Sequence, residues 1–175
     1  MAPGAADHVF TFGPGGNAGW LPLVGDWDDD GFDTIGLFEP LASRYHLKNT
    51  LSGGAADELF VFGSASSGWL PLSGDWNANG ADTIGLFDPA TSAFHLKTHS
   101  RRADIVFAFG PGNSGWTPLT GDGIDTVGLY DPTVSAFHLQ NAFAGGSASS
   151  LIFFGPANQG WTPLVGDWNG LSSGA

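Results

Sequence analysis

Along this chain apolar and polar residues alternate in short runs separated by turn-forming residues. In the first run Val9, Thr11 and their neighbours alternate, and near residue 46 Tyr45 and Leu47 flank His46. A period of two is that of a half-buried strand. Four kinds of short strand are predicted: a first like HVFTFG, a second like WLPLVGD, a third like DTIGLF and a fourth like FHLK. Gly, Pro, Ser and Asn fill the gaps between them, as turn chemistry requires.

The same four kinds return in order. GWLPLVGDW (19–27) recurs as GWLPLSGDW (68–76), GWTPLTGD (115–122) and GWTPLVGDW (160–168). DTIGLFEP (33–40) recurs as DTIGLFDP (82–89) and DTVGLYDP (125–132), and RYHLK (44–48) as AFHLK (93–97) and AFHLQ (136–140). A Phe-Gly pair precedes each Gly-Trp. Trp20, Trp69, Trp116 and Trp161 are spaced by 49, 47 and 45 residues. Residues 1–175 read as one repeat domain, with repeats at about 7–54, 55–102 and 103–147 and half a repeat at about 148–170.

Four strands every 45 to 49 residues is the size of one propeller blade. The expected fold is all-β, with tandem four-stranded blade-like repeats. Three and a half units sit awkwardly with a closed monomeric propeller, so oligomerisation is one expected route to closure, and a piece of a longer array is another. A trefoil-like closed fold of three repeats is the alternative.

Composition narrows the partners. Seventeen Asp and Glu against five Lys and Arg give a formal charge of -12, which repels phosphate backbones and argues against nucleic acid. Aromatics at 13% and charged residues at 13% argue against disorder. No run of apolar residues is long enough to cross a membrane as a helix. Residues 1–4 show neither a basic nor an apolar leader region, so no secretory signal is expected in them. With no cysteine, neither a disulfide nor a thiolate metal site is on offer.

The densest charge lies in GDWDDDGFDTIGLFEP (25–40). Counted from Asp26, Asp28 and Asp30 are positions 3 and 5, Gly31 is position 6 and Asp33 is position 8. Calcium takes 6–8 oxygens from a flexible cage, and alternate carboxylates in a tight loop can supply several of them. The second copy offers Asp75, Asn77, Asn79 and Asp82, with two charges fewer. The third keeps only Asp122 and Asp125, for which a hairpin turn suffices, and the fourth stops at Asp167, Trp168 and Asn169. A self-capped acidic turn is the competing reading of every copy.

The pattern FG, then GW-x-PL-x-GDW-[DN]-x-[DN]-G-x-D-T-[IV]-G, resembles the FG-GAP/VCBS-like repeats of secreted bacterial proteins, relatives of the integrin-type β-propeller blade. The resemblance covers nearly the whole chain. It implies a calcium site between two strands of a blade, at Asp26, Asp28, Asp30 and Asp33 and again at Asp75, Asn77, Asn79 and Asp82.

Trp20, Trp69, Trp116 and Trp161 are read as repeated core residues between blades, with stacking on a sugar ring as the alternative. Trp27, Trp76 and Trp168 are expected to cover the acidic loops. His46, His95 and His138 are expected to face outward on their strands. HExxH, GxSxG and Walker patterns are absent, and no single pair of acids stands apart from the repeats. The sequence therefore points to a secreted, non-enzymatic calcium-binding β-repeat module in adhesion or ligand binding, with a glycan or another protein as partner. A lectin using the Gly-Trp sites and a self-assembling propeller fragment, a homo-oligomer, are the alternatives.

Overall fold

The computed structural model describes residues 4–15, 18–98, 105–121 and 126–165, and within them twelve strands and no helix. Strands β1 (Leu21–Gly25), β2 (Thr34–Glu39), β3 (Arg44–Leu47) and β4 (Glu58–Val61) form a first antiparallel sheet in that order. The second is built the same way from β5 (Leu70–Gly74), β6 (Thr83–Asp88), β7 (Ala93–Leu96) and β8 (Ile105–Ala108). The third contains β9 (Thr117–Thr120), β10 (Val127–Asp131), β11 (Ala136–Gln140) and β12 (Ser150–Phe153). The all-β expectation is met, and among the described residues each ladder stays within its own sheet.

The sheets are offset from the sequence repeats by one strand. Each sheet opens on a second-kind strand and closes on the first-kind strand of the following unit, so that β4, not residues 8–12, completes the first sheet. Residues 8–12 were expected as a strand, but show only a bridge from Phe12 to Gly54. Alternation alone cannot hold a strand that has no neighbour in a ladder.

A repeated corner fixes each sheet's third and fourth places. Ser43, Ser92 and Ser135 end the tight turns between the middle strands with φ of 49, 52 and 54°. All three are buried to within 1%. Their hydroxyls donate to the main-chain oxygens of Phe62, Pro111 and Phe154. Their carbonyls accept from the amides of Phe62, Phe109 and Phe154 at 3.0–3.1 Å. A serine that satisfies both chain directions sews the last strand onto the hairpin.

The sheets then stack face to face. Leu23, Phe38, Tyr45, Leu47 and Phe62 of the first sheet and its exit meet Ile84, Leu86 and Trp69 of the second unit. Leu72, Phe87, Phe94, Leu96 and Phe109 meet Val127, Leu129 and Trp116 in the same manner. Tyr45 Oη also crosses the first interface to donate to the Gly85 carbonyl. Gly63, at φ 85°, has no room for a Cβ because the end of the Leu86 side chain closes over it.

The leading strands touch, β1 with β5 and β5 with β9, and Ser73 Oγ donates to the Val24 oxygen at 2.8 Å. Each carries a proline: Pro22, Pro71 and Pro118. The Ile35 oxygen accepts from Lys48 N, so Ile35 and Leu37 turn to β3 while Thr34, Gly36 and Phe38 turn to β1. Pro22, paired with Leu37, therefore aims its missing donor at the free edge, the place a sheet tolerates proline.

Candidate metal centre

The loop from β1 to β2 is held by its own first carboxylate. Asp26, 8% exposed, accepts from the amide of Asp30 at Oδ1 (3.2 Å) and of Gly31 at Oδ2 (2.8 Å). Asp30 Oδ1 then accepts from Phe32 N at 2.9 Å. Asp29 and Gly31 take left-handed φ of 60 and 84°, which curls the chain tightly enough to bring alternate side chains together. One oxygen each from Asp26, Asp28 and Asp30 falls within 4.8 Å of the others. Oxygens sharing one calcium at about 2.4 Å must lie within twice that distance, a condition that these three meet. An accepting carboxylate oxygen keeps a second lone pair, so capping leaves Asp26 able to ligate.

Asp33 is not a member of that group. Its charge instead bears on Asp82.

The second loop repeats the posture. Asp75 accepts from Asn79 N at Oδ1 (3.2 Å) and Gly80 N at Oδ2 (2.8 Å), and Asn79 Oδ1 accepts from Ala81 N at 3.2 Å. Ala78 and Gly80 take φ of 57 and 97°, matching Asp29 and Gly31. Asn77 and Asn79 bring oxygens without charge. The last expected ligand, Asp82, is engaged elsewhere: its Oδ2 accepts from Asp26 N at 2.9 Å, and its own N donates to the Asp26 oxygen at 2.6 Å.

The two loops are thus in contact, which neither loop's spacing foretold. Asp29 reaches over the second loop, where its carboxylate lies against Gly80. Burial pushes the Asp82 carboxyl up to about 6, and the charges of Asp33, Asp75 and Asp26 push the same way. The Asp26 N–H pulls against them. The charges of Asp26, Asp33 and Asp75 thus all bear on the partly buried Asp82. The third and fourth copies, with Asp122, Asp125, Asp167, Trp168 and Asn169, lie outside the described residues.

Trp27 and Trp76 do more than cover the loops. They are 7 and 3% exposed and belong to the two inter-sheet clusters, Trp27 lying over Gly25 and Gly36. The histidines do not face outward as expected. His46, His95 and His138 stack on Trp20, Trp69 and Trp116 with ring centroids 4.4, 4.5 and 4.3 Å apart. Burial holds His95 below the usual imidazole range against the pull of Asp88.

Trp69 and Trp116 accordingly pack at the two sheet interfaces with one ring face already covered. Trp20 lines an open cleft of about 420 Å³ with Phe12, His46 and Leu59, and Trp161 is 46% exposed at the other end. An ion pair went unnoticed in the sequence: Lys48, 7% exposed, meets Asp57 at 3.0 Å. The Asn49 amide and then Lys48 hold the Asp57 carboxyl below its ordinary range. No protein-family model, curated protein or solved structure matches the chain.

Proposed function

We propose that the chain is a non-enzymatic, calcium-binding β-repeat module of propeller-blade type that works outside the cell in adhesion or ligand presentation. The observation that carries this reading is the convergence of Asp26, Asp28 and Asp30 on one loop within 4.8 Å. Asp28 and Asp30 are exposed, and a bound cation would offset the repulsion among the three carboxylates. The second loop, with the same backbone and two neutral side chains, is a weaker site of the same kind. Weak sites fill at extracellular calcium and stay empty at cytosolic levels, which is why the reading places the module outside. The ion's part is structural: it fixes the connection between β1 and β2 and relieves the crowd of carboxylates at the first sheet interface.

Thermal unfolding in excess chelator and then in about 1 mM calcium tests this. A site of about 10 μM affinity gains about 2.7 kcal/mol at a hundredfold excess, a midpoint rise of roughly 5 to 11 °C for a chain of this size. The double variant Asp28→Ala, Asp30→Ala should lose the rise. Equal midpoints with and without calcium would reduce the loop to a self-capped acidic turn.

A lectin is the second reading, and it now concentrates on Trp20. The stacked imidazole and the cleft with Phe12 and Leu59 leave an aromatic wall open to a ligand there. Binding on a glycan array that disappears in Trp20→Ala, with melting unchanged, would favour it.

A further inference from the structure

Asp82 stands where a fourth ligand of the second loop is expected, yet it is bonded to the first loop. Its Oδ2 accepts from Asp26 N at 2.9 Å, and its own amide donates to the Asp26 oxygen at 2.6 Å. Asp26 therefore faces two ways. Its main chain is held on both sides of the residue by the second unit, while its carboxylate caps Asp30 and Gly31 and joins Asp28 and Asp30.

The neighbouring residues admit this contact. A Cβ on Gly25 would lie 2.7 Å from Asp82 Oδ2, so the carboxylate reaches the Asp26 amide because residue 25 carries no side chain. One residue earlier the Val24 oxygen accepts from Ser73 Oγ of β5 at 2.8 Å. On the far side the Asp29 carboxylate lies against Gly80. The first loop is thus gripped by the second unit at its start and touched by it again at its tip.

A ligand loop that is ordered in advance binds an ion more tightly, because less order has to be made on binding. Groups that hold a ligand from behind commonly change metal affinity by about 10–100-fold. Without the Asp82 side chain the Asp26 amide loses its acceptor, and the residue that begins the loop is freed on that side.

We propose that Asp82 is a positioning residue for the first loop: by holding the main chain of Asp26, it couples calcium binding on one unit to the docking of the next. This rests on the calcium reading of that loop. Asp82 then serves the first loop from behind instead of ligating in its own, and the second loop is left with Asp75, Asn77 and Asn79. The coupling is reciprocal, so calcium on the first unit also tightens the contact with the second.

Calcium titration calorimetry on the wild-type chain, Asp82→Ala and Asp82→Asn tests it, at a temperature well below melting. Salt of about 0.5 M screens the loss of charge alone. Asp82→Ala should weaken binding at least about fivefold. Asp82→Asn should stay within about twofold of wild type, because its side-chain oxygen accepts the same N–H. Equal weakening by both variants overturns the proposal, since Asp82 then acts through its charge or as a ligand. Unchanged binding by both overturns it as well. A wild-type chain that binds no calcium overturns the calcium reading and this inference together, whereas the other failures leave that reading standing. Amide exchange on the wild type needs no variant to fold. Calcium should slow exchange at Asp82 N at least about fivefold and leave Lys97 N, bonded to Ile84 within its own unit at 3.1 Å, unchanged. An Asp82 amide indifferent to calcium overturns the proposal.

Discussion

Phe62 and Phe154 are the same residue in the same strand context, two sheets apart, and they live in opposite surroundings. Phe62 is 6% exposed beneath the second sheet, and Phe154 is 68% exposed at the end of the third. Their main-chain bonds are alike, each amide donating to a buried serine carbonyl at 3.0–3.1 Å. Repetition of sequence thus fixes the backbone and leaves burial to position in the stack, as in other arrays where each unit touches only its neighbours.

The largest expected effect tests that separation directly. Phe62→Ala should destabilise by about 3–5 kcal/mol in urea unfolding, and Phe154→Ala by less than about 0.5 kcal/mol. Similar costs for the two would mean that the end face is covered in solution. A smaller effect sharpens the contrast within the interior. Tyr45 clamps the first interface through the Gly85 carbonyl, while the second has Phe94 at the matching position. Tyr45→Phe should cost about 0.5–1.5 kcal/mol, the net worth of one buried hydrogen bond, because the Gly85 carbonyl keeps its ladder partner on β5. No loss in the same urea titration would make the two interfaces equivalent.

The smallest effect concerns the loops at the first interface. Asp82 has a folded pKa of about 6, above its ordinary 3.8. Folding therefore favours its protonated form. In chelator its contribution is complete below about pH 4 and is lost as pH rises through 6. Asp82→Asn, which keeps an acceptor for the Asp26 amide, should raise the melting midpoint at pH 8 and lose that advantage by pH 4.5. Asp57 acts in a separate window, because its lowered pKa costs stability only as pH falls below the ordinary carboxylate range. A midpoint difference independent of pH would place the Asp82 charge in open solvent.

Strand identity was legible because it is local: alternation, glycine and the Phe-Gly and Gly-Trp pairs all lie within a few residues. The phase of the sheets was not. The stretch Glu58–Val61 is joined by chain to both neighbours, and only its ladder with β3 decides which sheet it completes. His46 was correctly set opposite Tyr45 and Leu47, yet its side of the sheet is stacked with Trp20 and not bare. Alternation separates two faces and says nothing of whether both are covered. The recurrence of Ser43, Ser92 and Ser135 was visible, but serine in a turn is too common a sign to foretell a buried clamp. The bonds between Asp26 and Asp82 join residues 56 apart, and no pattern in either loop encodes them.

The proline of each leading strand has a consequence for the life of a nascent chain. Near-identical tandem units are prone to pair with the wrong copy while they fold, and a free strand edge is where such pairing begins. Pro22 removes the donor from the middle of that edge, and Pro71 and Pro118 sit at the same place in their strands. A stray strand that approaches this side finds its row of partners interrupted. The residue thereby acts as a gatekeeper against misassembly, protecting an array whose own redundancy is its main hazard.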